Sequence, residues 1–434
     1  MDTKNRKTAG IIHAYPSDYL LDSLAAAGWQ VALICPQELE GAAILQHPAL
    51  VDVRLCDFEQ SAAVVNTAQV SNRFVQWDIV LPVNEGCVDL SAMVCERLNL
   101  TGNSVFAATN SRDKDKSYQQ FANAAIAHPS STVVNSYSQA MDIVPQMAYP
   151  SILKLADSMN SQGVIRVNDD SQYQTGMAHL FSLFDANKNT DFAQDRNIYA
   201  YGKAGKKVLI QPFLSDEEVG IDLLYKHGEI AILGIFEKSP SNGPYFAEKY
   251  SVYPTSLNPT KLDHALKLAK TSLLALDVSV GAAHVEIRFA NDTPYVLEIG
   301  LRPGGGYTAI ACEQLSGINI YAALADLLMG GALPKPQIAD NLAVLYGGVA
   351  YEQSGTLTHI NGIEAITEQP GLVDHVFLAK VGDLVYTMPH AAQPHFAYYL
   401  LNGSTRQGLL EAYGNIESQV RLTIAVPHSA PEKL

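Results

Sequence analysis

Two glutamates in alternating stretches carry the strongest chemical signal. Glu286 lies in HVEIRF, where His284, Glu286 and Arg288 share one face and Val285, Ile287 and Phe289 the other. Glu298 lies in YVLEI, where Val296 and Glu298 share a face and Tyr295, Leu297 and Ile299 take the opposite one. Between them Asn291-Asp292-Thr293, followed by Pro294, is turn chemistry. The stretches read as a β-hairpin, and a three-residue loop sets Glu286 opposite Glu298. Like charges facing each other across strands are destabilising, so the pair needs a cation between its members. Magnesium suits it, because that ion prefers carboxylate oxygens together with phosphate oxygens. The alternative is a shifted register with one glutamate in solvent. Downstream, Gly304-Gly305-Gly306 precedes a helix, whose N–H groups and dipole can seat a carboxylate. His284 shares the face of Glu286, where both a structural histidine and a substrate or phosphate contact fit.

The rest of the chain must position these groups. Its 434 residues are too many for one core, so two to four subdomains are expected. With 47% apolar and 17% charged residues it reads as a well-buried globular protein rather than a disordered one. A net charge of −15 disfavours nucleic acid and anionic membrane as partners, and makes any anionic ligand depend on a local positive site. The cysteines at 35, 56, 87, 95 and 312 form neither a disulfide framework nor a zinc pattern, which fits a reducing cytoplasm. The opening MDTKNRKTAGIIHAYP has too short an apolar run for a signal peptide, and no window approaches a membrane span.

Residues 8–36 read as strand, helix, strand, with Ser17 or Asp18 as N-cap and Gly28 as C-cap: the β-α-β opening of a parallel sheet. There is no GxGxxG, so a dinucleotide site has no support. WDIVLPV followed by NEGCVDLSAMVCERLNL repeats the unit, with Glu85 in the strand-to-helix loop as either a site residue or a plain cap. One helix starts abruptly around Asp113-Lys114, and Lys114 with Lys116 also fits a solvated charge run. SILKL, ADSMNSQG and VIRV form strand, small polar loop and strand. Lys154 stands at the edge of a loop able to lay N–H groups over phosphates, although an ordinary hairpin fits as well. Residues 181–207 read as a surface excursion without assigned chemistry. VLIQPFL is a strand, a strand pair turns at His227-Gly228, and GPYFAEKYSVYPTSL is a connection. An amphipathic helix leads into the hairpin, and residues from about 335 read as a closing β-rich subdomain.

Taken in order, these motifs resemble the ATP-grasp enzymes over residues 1 to about 425. The carrying motifs are Asp113-Lys114, Ile152-Leu153-Lys154 before a small-residue loop, Leu209-Ile210-Gln211-Pro212-Phe213-Leu214 followed by Glu218, and HVEIRF with VLEIGLRPGGG. Within the superfamily the last pair, and EKSPSNGPYFAEKYSVYP, are similar to carboxylate–amine ligases that join amino acids. The resemblance implies an α/β protein of α+β grasp type in three parts. These are a Rossmann-like domain over 1–112, a lid subdomain over 113–207, and a C-terminal grasp domain over 208–434 that includes the closing subdomain. It implies ATP and two magnesium ions, replaceable by manganese. Lys114, Lys154 and the lid loop 157–163 with Ser161 would contact phosphates. Gln211, Pro212, Phe213 and Leu214 would hold adenine, and Glu218 the ribose. Glu286 and Glu298 would bind metal. Arg302 and His284 would act on the transferring group, and Gly304, Gly305 and Glu248 on the substrates. A cytoplasmic homodimer acting on amino acids or small carboxylic acids is the implied setting.

Two positions depart from the superfamily pattern. Gln211 stands where glutamate is common, and its side-chain oxygen can still accept a hydrogen bond from adenine. Gly300 stands where many relatives carry an asparagine metal ligand, which leaves one ion short of a protein ligand. Two rival readings remain, a biotin-dependent carboxylase and a catalytically silent nucleotide-binding protein. The first normally shows a glycine-rich lid, and the second would have lost Lys154, Glu286 or Glu298, all of which are present.

Overall fold

The computed structural model describes residues 6–185, 205–241, 243–389 and 394–426. The apolar runs KTAGII and WQVALICP become β1 (Lys7–Ile12) and β2 (Trp29–Pro36), buried almost throughout. With β3 (Leu50–Cys56) and β4 (Ile79–Leu81) they form a parallel sheet ordered β3-β2-β1-β4. Parallel neighbours need crossover helices, here α1 (Asp18–Ala26) and α2 (Ser61–Phe74), and α3 (Val88–Leu98) follows β4. Ser17 caps α1 by accepting from the Leu20 N–H, and Gly28 beyond its end sits at φ 85°. Gly10 must lack a side chain because the Trp77 indole lies over it. One face of the sheet packs on Trp77, Phe58 and Leu90. The other shares a core with Leu315, Ile320 and Leu324 of the C-terminal part.

The helix expected around residue 113 is two helices, α4 (Val105–Arg112) and α5 (Lys114–Asn123). Asp113 breaks them apart, since its carboxylate accepts from the Asp115 and Lys116 N–H groups. Next comes an antiparallel sheet ordered β5-β8-β6-β7. It is built from β5 (Thr132–Val134), β6 (Ser151–Leu155), β7 (Val164–Val167) and β8 (Val208–Pro212), and carries α6 (Tyr137–Ile143) and α7 (Asp170–Asp185). Leu153, Val167, Tyr173 and Met177 form a core of its own. The excursion expected over 181–207 falls largely outside the described residues.

A second sheet of eight strands, ordered β13-β12-β9-β10-β11-β14-β18-β16, forms the other half. Its members are β9 (Glu218–Lys226), β10 (Glu229–Lys238), β11 (Tyr250–Tyr253), β12 (Val280–Ala290), β13 (Thr293–Gly300), β14 (Ala343–Ala350), β16 (Leu372–Phe377) and β18 (His395–Gly403). Two expectations are corrected here. The stretch read as a connection contains β11, and strands after residue 335 continue this sheet through the β11–β14 pairing instead of standing apart. A separate three-stranded sheet is made of β15 (Gly355–Asn361), β17 (Leu384–Val385) and β19 (Arg421–Ala425). Helices α8 (Pro259–Ala275), α9 (Thr308–Ser316), α10 (Ile320–Leu328), α11 (Glu364–Thr367) and α12 (Arg406–Gln419) complete the chain. Gly317, at φ 68°, separates α9 from α10.

Glu286 and Glu298 are paired across β12 and β13, but not through a three-residue loop. The turn has two residues, Asn291 and Asp292, both at positive φ, as tight hairpins require. That turn alone would set Leu297 opposite Glu286. A bulge at Leu297 shifts the register and delivers Glu298 instead. The bulge also overturns the expected faces of the second strand. Val296 pairs with Ile287 and lies in the core with Ile299, rather than sharing the face of Glu298.

Candidate active site

A cavity of about 1230 Å³ opens between the four-stranded antiparallel sheet and the eight-stranded one. Fourteen of the fifteen site residues named from the sequence line it, and Gly304 does not. At one end, on β8 and the segment after it, lie Gln211, Pro212, Phe213 and Leu214. Gln211 Nε2 donates to Ser131 Oγ at 2.6 Å. The Phe213 ring lies 4.3 Å from the Arg166 guanidinium and 5.1 Å from that of Arg288.

Lys154 projects from β6, buried, with its ammonium 2.9 Å from the Tyr118 hydroxyl and 5.3 Å from that ring's centre. Burial lowers its pKa to about 8, and more distant carboxylates pull only weakly the other way. Among the described residues none places a carboxylate within ion-pair distance of it. Lys114, at the start of α5, donates to the Ser158 carbonyl at 2.7 Å and pairs with Glu298 at 3.1 Å. It is buried and lines the cavity, so it is not part of a solvated charge run.

In the small polar loop 157–163, Asp157, Ser158 and Gln162 are buried and Met159 is only 8% exposed. Arg112 donates to the Asp157 carbonyl at 3.1 Å. Ser161, at φ 56°, faces the cavity.

The other wall gathers acids around a lysine that sequence reasoning missed. Lys238, on β10, lies 2.6 Å from Glu286, 3.1 Å from Glu218 and 3.8 Å from Glu248. Glu218, expected to hold ribose, also pairs with Arg288 at 3.1 Å. Burial opposes charge on Lys238, but the three carboxylates outweigh it and hold the ammonium well above its usual pKa. Burial likewise opposes charge on Glu286, and Lys238 with His284 holds that carboxyl well below the usual range. No local sequence pattern could have shown Lys238, because its partners come from three separate segments. The nearest signal was its place in EKSPSNGPYFAEKYSVYP.

His284 lies 3.0 Å from Asp222 and 3.6 Å from Glu286. Burial would lower its pKa, but Asp222 and then Glu286 raise it to about 9, so the imidazole is a cation at neutral pH and not a base. Asp222 uses its other oxygen to accept from the Gly304 N–H at 2.9 Å. That removes the Gly304 amide from the expected carboxylate seat and leaves Gly305 and Gly306 on the cavity wall. Glu248 also lines the wall, hydrogen-bonded by Ser251.

A divalent cation fits the paired glutamates. Both face the cavity from adjacent strands, and each already holds an ammonium group, Lys238 on Glu286 and Lys114 on Glu298. Among the described residues no three His, Cys, Asp or Glu side chains converge as a metal group. Phosphate and water oxygens would therefore have to complete the shell.

Residues 147–310 match the ATP-grasp domain. The chain is 24% identical over 267 residues to an alanine–anticapsin ligase of Bacillus subtilis, covering 58% of this chain and 54% of that one. It is 22% identical over 264 residues to carnosine synthase 1 of Gallus gallus, covering 58% and 27%. These matches span about half or less of the relatives' own length. Among solved structures, an L-amino acid ligase from Bacillus licheniformis superposes with a TM-score of 0.81 at 19% identity, over 98% of this chain and 100% of that one. A biotin carboxylase from Campylobacter jejuni superposes at 0.67 and 14% identity, over 97% and 92%. The chain thus carries a match to the ATP-grasp domain over residues 147–310, and its fold as a whole is like that of these solved structures.

Proposed function

We propose that the protein is an ATP-dependent carboxylate–amine ligase. It would join two amino acids, or a small acid and an amino acid, through an acyl phosphate. The observation that carries this reading is the composition of this large cavity. Phosphate-seeking lysines, a facing glutamate pair, Arg302 and the Gly305-Gly306 corner all line it. A kinase would need only the first two. The relatives' names, an alanine–anticapsin ligase and a carnosine synthase, support the same class.

In the first step a carboxylate oxygen of the acid bonds to the γ-phosphorus as the bond to the β–γ bridging oxygen breaks and ADP leaves. In the second the amine nitrogen attacks the acyl carbon, the carbon–oxygen bond to phosphate breaks, and the departing phosphate takes the proton shed by nitrogen. Such transfer asks mainly for positioning and charge neutralisation. Lys114 and Lys154 bind phosphate oxygens, and Gln211 with the segment after it holds the base. Glu218 lies beside them, where the ribose would sit. Magnesium held by Glu286 and Glu298 would supply further neutralisation of phosphate charge. Arg302 stabilises negative charge on the acyl phosphate, with the cationic His284 beside it. The buried lid loop keeps water from a hydrolysable intermediate. Five free, buried cysteines fit a cytoplasmic setting, and among the described residues no helix is long and apolar enough to cross a membrane.

The test is a screen of amino-acid pairs for ADP release, with hydroxylamine added to trap acyl phosphate as hydroxamate. An active acid should give hydroxamate without an amine and an amide with one. Arg302→Ala should slow both by roughly 10²–10³-fold while changing ATP binding less. ADP release with neither product would overturn the reading, and release dependent on bicarbonate and stimulated by biotin would favour a carboxylase.

A further inference from the structure

The structure assigns Glu85 as a positioning residue of the transfer site, occupying the space that Gly300 leaves open. This rests on the ligase reading for what Arg302 does, but not for where Glu85 sits. Glu85 begins the short turn Glu85–Cys87 after β4, at the carboxyl edge of the parallel sheet. It is 5% exposed and does not line the cavity. Its two oxygens bridge two arginines, one accepting from Arg112 Nη1 at 2.9 Å and the other from Arg302 Nε at 2.7 Å. Arg302 Nη1 is held by the Pro303 carbonyl at 2.8 Å. The Nη2 donors are thus left for an anion in the cavity that Arg302 lines.

Gly300 explains how the carboxylate reaches this place. A Cβ at position 300 would stand 2.5 Å from Glu85 Oε2 and 3.4 Å from the Arg302 guanidinium. That is about one side-chain bond-pair away, so an asparagine here would put its head group where the Glu85 oxygen lies. The glycine is therefore the clearance for a carboxylate supplied by another part of the chain. Arg112 extends the link, because the Nη2 that does not touch Glu85 holds the Asp157 carbonyl at the start of the lid loop. One buried carboxylate thereby ties the transfer arginine to the loop that covers it.

Kinetics and melting of four variants test this: Glu85→Gln, Glu85→Ala, Gly300→Asn and the double variant Glu85→Ala/Gly300→Asn. Glu85→Gln should lower kcat about tenfold or more, in the range seen for residues that orient functional groups, with the KM for ATP nearly unchanged. Gly300→Asn should lower the melting temperature by clash. The double variant should melt higher than the sum of the Glu85→Ala and Gly300→Asn shifts, because removing the carboxylate makes room for the amide. If Glu85→Gln is too unstable, Glu85→Gln/Arg112→Met removes the buried charge pair together and should show the same loss in kcat. Wild-type kcat in an active Glu85→Gln enzyme would overturn the positioning role and leave the ligase reading standing. Additive melting shifts would overturn the Glu85–Gly300 coupling whether or not any substrate pair is found. A wild type that releases no ADP would count against the ligase reading alone.

Discussion

Two buried lysines face the same cavity from opposite sheets, and their surroundings push them in opposite directions. Lys154, on the four-stranded sheet, has a tyrosine hydroxyl and ring for company, and burial brings it down to about 8. Lys238, on the eight-stranded sheet, is wedged among Glu218, Glu248 and Glu286 and is held well above its usual pKa. The smaller sheet has a cation short of an anion, and the larger sheet has anions in excess. An anionic nucleotide carrying a divalent cation satisfies both. The polarity of the cavity is thus divided between two sheets, and such a ligand would neutralise the division.

The largest effect should come from the acid-rich side. Glu298→Gln keeps shape, removes the partner of Lys114, and should cut kcat by roughly 10²-fold or more with an unchanged fold by circular dichroism. Turnover close to wild type in a variant that melts normally would remove Glu298 from the site. Lys238→Met should be next. It leaves three acids facing one another, and breaking a buried pair typically costs about 3–5 kcal/mol, read as a lower melting temperature. Magnesium should restore much of that loss, because a divalent cation can replace the ammonium. Lys154→Met should behave in the reverse way, with little loss of melting temperature and a weaker affinity for ATP. Equal melting shifts for the two lysine variants would erase the contrast between the sheets.

A smaller effect concerns pH. Lys154 is charged below about pH 8 and loses its proton as pH rises through that value. ATP, an anion, should bind less tightly above pH 8 than below it. Lys154→Arg stays charged and should flatten the profile; an equally steep rise in the KM for ATP in both proteins would assign the pH dependence elsewhere. The smallest effect concerns the lid loop. With Met159 and Gln162 buried, segment 157–163 should already resist proteolysis without nucleotide, and Met159→Ser should open it. Rapid cleavage of the wild-type loop in the absence of ATP would contradict the packing described here.

The hairpin was legible because strict alternation in HVEIRF has one face for the core and one for the cavity. The pairing of its two glutamates was reached through the wrong loop. A bulge leaves no period in the sequence, and the two-residue turn and the extra Leu297 cancel in the register. Lys114, Lys154 and Gln211 came from the resemblance of short motifs, each beside a strand or helix start, and all three line the cavity. Glu85 stayed open between site residue and plain cap, and Lys238 was missed, since their meaning lies in partners that are distant in the chain, up to 217 residues for Glu85 and Arg302. The Gly304 amide was misread for a related reason, because helix-start N–H groups look free until Asp222 arrives from β9. The C-terminal strands were read as strands, but strand order within a sheet is a long-range property that alternation does not encode.

The β11–β14 pairing has a consequence for how such chains can be cut and recombined. Tyr346, His395 and Tyr398, from strands after residue 335, belong to the cavity wall, so this part contributes to whatever selectivity the cavity has. Yet it cannot travel as a module. A chain ended near 335 would leave the four residues of β11 with one edge bare and uncover Val252, and open edges recruit strands from other molecules. Shortened versions should therefore aggregate rather than remain soluble with reduced activity. Grafts between relatives should exchange single wall residues on β14 and β18, leaving the sheet whole.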